Sequence, residues 1–315
     1  MKNDIVLGLK ARARLKAAIR DFFAERDYLE ADTPIAVTTP GIEVHLRYFK
    51  TAWVDHSGQA HPLYLRSSPE IHMKKLLAAG ADRIFQLAPC FRNWGETSDW
   101  HHPEFTMLEW YEVGLSFHGL IDQTEALIRS CRNALGSHLK LPAKIERISV
   151  FEAFERWVGV SLIDEDQALA AKGIRAGAVS LRDDDDFETA FFKLLLERVE
   201  PGIEALGAAV LYDYPESQAA LATVRDGTAK RFEIYIGRVE LCNGFEELLD
   251  ADANAARIRS SLQRRAQLGY EVPEEDQAFY AALRRGIPAC SGNALGFDRL
   301  LALLLGQNKL VSLIR

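Results

Sequence analysis

Apolar positions early in the chain repeat with helical spacing. Leu15, Ile19, Phe22 and Phe23 fall at i, i+4, i+7 and i+8 with charged residues between them, which predicts an amphipathic helix over residues 10–28. Pro34 forbids helix continuation, and Thr38-Thr39-Pro40-Gly41 reads as extended chain and turn. Short apolar runs predict strands at 63–65, 84–87 and 105–111. Ser68-Pro69-Glu70 puts proline at the first position of a helix running on through 71–79. The strands at 84–87 and 105–111 flank a polar stretch, the pattern of an antiparallel hairpin with a long tip.

Residues 152–206 are helical in pattern and carry little chemistry. The four carboxylates at 183–186 read as a solvated loop entering a helix at Phe187, where negative charge suits the helix dipole. Strand character returns at 210–212 and 232–241, and helices follow at 251–268 and 275–285. A glycine-punctuated turn at 291–299 then opens an apolar helix. With no repeat, low-complexity linker or shift in composition, one domain over residues 1–315 is the expectation.

Composition narrows the class. The 315 residues are 48% hydrophobic and 26% charged, which suits a globular protein with a large core. The N-terminal stretch lacks the apolar core of a signal peptide, and no apolar run approaches the roughly 20 residues that span a bilayer. A cytoplasmic protein with no membrane partner is expected. Cys90, Cys131, Cys242 and Cys290 show no CxxC spacing, so they read as buried, inert thiols rather than zinc ligands or disulfides. Net charge is −7, with 38 basic residues scattered among 45 acidic ones, so no cationic stripe suggests a nucleic-acid partner.

Three segments carry polar residues where a strand should present apolar ones. The first runs from Cys90-Phe91-Arg92-Asn93 to His101-His102-Pro103-Glu104-Phe105-Thr106-Met107-Leu108-Glu109-Trp110-Tyr111. Alternation places Phe105, Met107, Glu109 and Tyr111 on one face, either a half-buried pocket or an edge strand with a satisfied glutamate. Neighbouring histidines on a strand point oppositely, which argues against a shared metal. The second is Gly237-Arg238-Val239-Glu240-Leu241-Cys242-Asn243-Gly244-Phe245-Glu246-Glu247, where an Asn-Gly turn is expected to fold Glu247 back toward Glu240. Two such hard oxygen donors suit Mg²⁺ on nucleotide phosphates. In the third, Gly292 and Gly296 permit close backbone approach and Arg299 stands at a helix entrance, suited to a terminal phosphate.

Together these segments resemble motifs 2 and 3 of the class II aminoacyl-tRNA synthetases, most closely the lysine-specific branch. The helix at 15–28 followed by Glu30-Ala31-Asp32-Thr33-Pro34 resembles motif 1, the dimer interface of those enzymes. Because motif 1 begins almost at residue 1, no anticodon-binding OB domain is expected. The stretch Tyr212-Asp213-Tyr214-Pro215-Glu216-Ser217-Gln218-Ala219-Ala220-Leu221, and Ala294 where the synthetases usually have glycine, resemble the elongation factor P β-lysine ligases, a truncated lysyl-tRNA-synthetase-like family.

That resemblance implies an α+β fold, an antiparallel β-sheet flanked by helices, and an ATP-dependent, adenylate-forming, amide-forming ligase that is homodimeric. Its cofactors would be ATP and Mg²⁺, its substrate (R)-β-lysine, and its partner elongation factor P, with no tRNA. By the same resemblance Arg92 and Arg299 are the catalytic arginines, on the α- and γ-phosphates, and Phe105 stacks on adenine. Asn93, Glu96, His102, Leu241 and Gly296 complete the ATP site, and Glu240 and Glu247 hold Mg²⁺. Ser68, Pro69, Glu70, Glu109, Tyr111, Asn243, Glu247 and Ala294 line the amino-acid site. One departure from the family pattern stands out. Trp94 follows Asn93, Ser98-Asp99-Trp100 replaces a stretch that usually carries arginine, and His102 stands where asparagine is usual. Two other readings remain open: an aminoacyl-tRNA synthetase-like lysine-activating enzyme, and a catalytically impaired lysine-binding regulatory paralogue.

Overall fold

The computed structural model describes residues 2–94 and 98–310, with residues 2–4 described by backbone alone. The chain divides into two compact units, Met1–Leu139 with Glu247–Arg315, and Lys140–Glu246. Each combines helices with largely antiparallel strands, so the α+β expectation holds.

The first unit opens with α1 (Lys2–Ala24), β1 (Leu29–Glu30), β2 (Ala36–Val37), β3 (Phe49–Val54) and β4 (Ala60–Leu65). It continues through α2 (Glu70–Ala78), β5 (Arg83–Phe91), β6 (Glu104–Val113) and α3 (Phe117–Leu135). The long-tipped hairpin is present: β5 and β6 pair antiparallel from Arg83↔Glu112 to Phe91↔Glu104. The helix α1 buries Leu15, Ile19, Phe22 and Phe23, the four residues that its periodicity selects. Phe23 stacks on Phe85 of β5 at 4.6 Å and tilts against Trp110 of β6 at 5.5 Å. The helix starts earlier and stops sooner than expected. At Asp27 the backbone turns left-handed (φ 59°), and the Tyr28 amide returns to the Phe23 carbonyl at 3.1 Å, packing the tyrosine under the helix end.

The second unit holds β7 (Glu146–Ser149), α4 (Val150–Ala153), α5 (Leu169–Arg175), α6 (Phe187–Leu194), α7 (Glu200–Leu206), β8 (Ala208–Pro215), β9 (Val224–Arg225), β10 (Thr228–Ile236) and β11 (Val239–Glu246). Its strands run β11-β10-β8-β7, with β9 on β10. The acidic run is a helix entry, as its charge suggests: Asp186 caps α6 through the Thr189 amide at 2.9 Å, and Asp185 pairs with Lys193 at 2.7 Å. The Asn-Gly turn is absent. Asn243 and Gly244 lie inside β11, and a Cβ at 244 would stand 2.3 Å from the ring of Phe232 on β10. The glycine serves cross-strand packing there, not chain reversal.

The first unit resumes with α8 (Ala251–Gln267), α9 (Gln277–Arg285), β12 (Cys290–Gly296) and α10 (Phe297–Leu304). The glycine-rich segment expected as a turn is therefore a strand, paired with β6 from Cys290↔Val113 to Gly296↔Met107. A Cβ at Gly292 would meet the Tyr111 ring at 2.2 Å, so this glycine, too, marks a close approach. Arg12 of α1 pairs with Asp298 of α10 and donates to Thr106 Oγ1 of β6 at 2.6 Å, while Asp298 accepts the Thr106 amide at 2.7 Å. Three elements are tied at one point. All four cysteines are free and buried.

Arg66, 1% exposed, donates to the carbonyls of Thr33 (2.9 Å), Pro34 (3.2 Å) and Pro89 (2.9 Å) and to Thr33 Oγ1 (2.6 Å). It thereby fixes the chain after α1 to β5. Replacing it with methionine strands several buried acceptors at about 1–3 kcal/mol each. Arg66→Met should therefore lower the unfolding free energy by about 3 kcal/mol, read from the urea midpoint. A loss below ~0.5 kcal/mol would show that these bonds do not anchor the loop.

Candidate active site

Strand register builds the floor of the site. The pairs Gln86↔Glu109, Ala88↔Met107 and Cys90↔Phe105 join β5 to β6, and Tyr111↔Gly292, Glu109↔Ala294 and Met107↔Gly296 join β6 to β12. Paired residues share a face, so Phe105, Met107, Glu109 and Tyr111 lie along one side, as alternation predicts. The β12 row beside them contributes Gly, Ala and Gly, one methyl group in three positions. Such a row makes a shallow trough, into which the Tyr111 ring leans over Gly292 and the Arg299 side chain over Gly296.

One end of the trough is acidic. Glu109, 1% exposed, accepts hydrogen bonds from Ser68 Oγ (2.6 Å) and Tyr111 OH (3.1 Å). Burial pushes its carboxyl up to about 8, and the nearby charge of Glu70 adds to the effect. Ser68 also accepts the Glu70 amide at 3.0 Å, and Pro69 caps α2. One helical turn on from Glu70 stands Lys74, its ammonium 2.6 Å from Glu70 Oε1 and 2.5 Å from Glu247 Oε2. Burial works to strip the Lys74 proton, but Glu247 and Glu70 outweigh it and raise the lysine above its ordinary range. Burial likewise pushes Glu247 up, to about 7, against the pull of Lys74 and with the help of Glu70. The Glu247 amide donates to the Cys290 carbonyl at 3.1 Å, which seats the residue at the start of β12. Tyr111 stays a neutral phenol, raised first by burial and then by the charge of Glu109.

Farther along β6 the character changes. The Arg92 guanidinium lies over the Phe105 ring at 5.1 Å, and its buried Nε has no hydrogen-bond partner among the described residues. An unsatisfied buried cationic donor is costly, and an anionic ligand would satisfy it. Arg299, in the first turn of α10, donates to His101 Nε2 at 2.8 Å. That bond puts the imidazole proton on Nδ1, which donates to Ser98 Oγ at 2.6 Å. Gly296 is the N-terminal cap of α10. His102, expected on the nucleotide, instead directs Nδ1 at the Glu104 backbone, 2.7 Å from the carbonyl and 3.2 Å from the amide. Asn93 accepts the Trp94 amide at 2.9 Å through Oδ1 and bridges by its backbone to Arg47. Trp94 is 81% exposed with φ 55°, and Arg47 lies over both its ring (4.9 Å) and that of Tyr270 (3.4 Å). Glu96 lies outside the described residues.

Glu240, Leu241 and Asn243 belong to β11 of the second unit. There Asn243 accepts from Arg231 Nε at 3.1 Å, and Arg231 pairs at 2.5 Å with buried Glu233, which also accepts from the hydroxyls of Tyr214 (2.6 Å) and Tyr235 (2.8 Å). Among the described residues no three or more His, Cys, Asp or Glu side chains gather as a metal site. Glu247 faces an ammonium group, an arrangement suited to amino-acid binding more than to Mg²⁺.

Sequence reasoning passed over Lys74, His101 and Glu233. The Glu70–Lys74 spacing of i, i+4 was the available signal for the first. Two charged residues two apart in an apolar strand, Arg231 and Glu233, signalled the third. Nothing in the string favoured His101 over His102.

The family model of class II tRNA synthetases (D, K and N) matches residues 1–314. A Vibrio cholerae protein named elongation factor P–(R)-β-lysine ligase is 38% identical over 98% of this chain and 94% of its own length. Proteins of the same name from Hamiltonella defensa and Haemophilus ducreyi are 36% and 38% identical, over 97% and 95% of this chain and 93% and 90% of their own. The floor of paired strands, its arginines and its buried carboxylates thus sit in a chain that belongs to the class II tRNA synthetase family.

Proposed function

We propose that this chain is a cytoplasmic ligase that activates (R)-β-lysine with ATP and transfers it to a lysine ε-amine of elongation factor P. The observation that carries this reading is the polarity of the trough. Glu70, Glu109 and Glu247 cluster at one end, and the unpartnered Nε of Arg92 lies over Phe105, four residues from Glu109 along β6 and so about 13 Å away. A diamino acid joined to a nucleotide has this distribution of charge. The names of the relatives favour β-lysine and elongation factor P as the two substrates.

In the first step a carboxylate oxygen of β-lysine attacks the α-phosphorus of ATP, and pyrophosphate leaves. In the second, the neutral ε-amine attacks the acyl carbon, AMP leaves with the electron pair of the broken C–O bond, and the amine's proton passes to solvent. Arg92 faces the charge that develops on the α-phosphate, and Arg299, oriented by His101, faces the departing phosphates. Phe105 offers its ring to the adenine. Glu70, Glu109 and Tyr111 orient the two ammonium groups, with Glu247 beside them. Mg²⁺, for which Glu240 is the remaining carboxylate candidate, supplies neutralising charge to the phosphates when bound.

The helix α1 leaves Val6, Leu7 and Leu9 exposed, and Leu29 of β1 is exposed as well. Apolar side chains so placed fit a homodimer through this face. Sedimentation at micromolar concentration should give twice the 35.3 kDa of one chain. A single species of monomer mass removes the dimer.

Arg92→Ala and Arg299→Ala should each depress pyrophosphate exchange by about 10³-fold or more while far-UV circular dichroism stays unchanged. Exchange within about tenfold of the parent in either variant overturns that arginine's assignment.

Ala294 pairs with Glu109 and supplies the single methyl of the β12 row, beside the substrate's amino group in this reading. Ala294→Gly should therefore raise α-lysine activation relative to β-lysine by about 10- to 200-fold, the worth of a methylene-sized change in a tight pocket. Exchange rates with the two isomers give the ratio directly. A ratio unmoved by the substitution, with both rates falling together, would assign Ala294 to backbone stiffness alone.

A further inference from the structure

Three carboxylates ring the acidic end of the trough, and a diamino acid brings two ammonium groups. The mismatch of one charge is met by the chain itself. Lys74 lies on α2, 2% exposed, with Nζ at 2.6 Å from Glu70 and 2.5 Å from Glu247. It reaches Glu70 through one oxygen, Oε1. The other titratable groups facing this cluster are Glu109 and Tyr111 on β6 and Cys290 on β12, with Cys90 of β5 and Arg66 acting on Glu109.

We infer that Lys74 is a positioning and specificity-determining residue. It is an internal counter-ion that holds Glu70 and Glu247 together and leaves the fully ionised pocket two negative charges, the complement of the two ammonium groups of a diamino acid. The inference rests on the substrate reading given above. It adds that the pocket counts charge, and that the count is set by a residue that need not touch the reacting atoms.

The physical argument is electrostatic. With Lys74 present, the ionised pocket carries Glu70, Glu109 and Glu247 against one ammonium, and two ammonium groups neutralise the remainder. An amino acid of the same length with a single ammonium group leaves one buried charge uncompensated, which a low-dielectric site penalises. Without Lys74, Glu70 and Glu247 repel each other with nothing between them. Glu109 then loses the ammonium that holds its carboxyl down, while Glu70 still pushes it up. A pocket whose carboxylates are protonated offers less to an ammonium group.

The sign of the pH effect follows. In the parent enzyme, Glu109, raised to about 8, is ionised above that pH, so kcat/KM for a diamino acid should climb as pH rises toward it. Lys74 opposes that rise, so its loss moves the acid limb set by Glu109 to higher pH.

The test is pyrophosphate exchange by Lys74→Met, which keeps the length and the apolar stem while removing the charge. Lys74→Arg, which restores charge with a different head group, is run beside it. The substrates are lysine and β-lysine, which carry two ammonium groups, and norleucine, which carries one, each over a pH series. In Lys74→Met, KM for the diamino acids should rise about tenfold or more while kcat and KM for ATP stay within about threefold, and the acid limb should shift upward. Lys74→Arg should return the limb toward its parental position, and norleucine should gain or lose little. Thermal melting of each variant reports whether the fold is intact. Parental activity with diamino acids but a superimposable pH profile in Lys74→Met overturns the inference alone, as does a parallel fall in kcat for every substrate without movement of the limb. Should Lys74→Met fail to fold, Lys74→Arg and a cadaverine-against-pentylamine binding comparison by calorimetry on the parent carry the decision. Equal affinity for the two amines denies that the pocket counts charge. If the parent activates no diamino acid at all, the substrate reading fails, and the inference falls with it.

Discussion

A carboxylate deprived of water is unstable unless something replaces the water, and the first unit places Glu109 and Glu247 out of solvent with Glu70 half-buried beside them. Much of the surrounding architecture meets that demand. Ser68 and Tyr111 hydrogen-bond Glu109, Lys74 stands between Glu70 and Glu247, and the Cys290 carbonyl holds the Glu247 backbone in place. The compensation is incomplete: burial still drives Glu109 up to about 8. Perturbed carboxyls of this kind are common at functional sites. In the proposed reading, the ammonium groups of the substrate would complete the charge balance.

The same logic runs in the opposite sense near Phe105. Arg92 is held against an aromatic face with a buried donor unsatisfied, and Arg299 is steered by a histidine whose acceptor nitrogen faces it. One strand, β6, carries both regimes on a single face. Alternation along a strand keeps them in line, and the hydrogen-bonded spacing keeps them apart. The charge of the two ends is the complement of the ligand proposed above, cationic at one end and anionic at the other.

Much of this was legible in the string, and the misses have physical causes. Period-two alternation identified the face of β6, and period-3.6 spacing identified the buried stripe of α1, because both depend only on local geometry. Glycine misled twice. Gly292 and Gly244 read as turn residues, yet each sits in a strand where an aromatic ring, Tyr111 or Phe232, fills the space a side chain would take. That requirement comes from another strand, so no local pattern encodes it. Lys74 was missed for a related reason: its significance comes from Glu247, a residue far along the chain. His101 and His102 are adjacent and chemically identical, and only the folded loop decides that the first meets Arg299 while the second turns back to Glu104. The division into two compact units left no mark in composition.

The register of β12 on β6 has a consequence for how the molecule comes into being. Residues 290–296 must lie against residues 107–113 before the trough has its third row, and the entire second unit is encoded between them. During synthesis the hairpin of β5 and β6 emerges first and waits, with Glu109 and Tyr111 on an unfinished edge, until residues 290–296 have been translated. Pairings this distant in sequence are slow to close, since loop entropy opposes them until the last contacts form. A nascent chain therefore has no complete substrate pocket at any earlier stage, and a fragment cut short before residue 290 keeps the acidic hairpin without the row that covers its edge. The arrival of two glycines and an alanine thus closes the edge of β6 only after the second unit has been made.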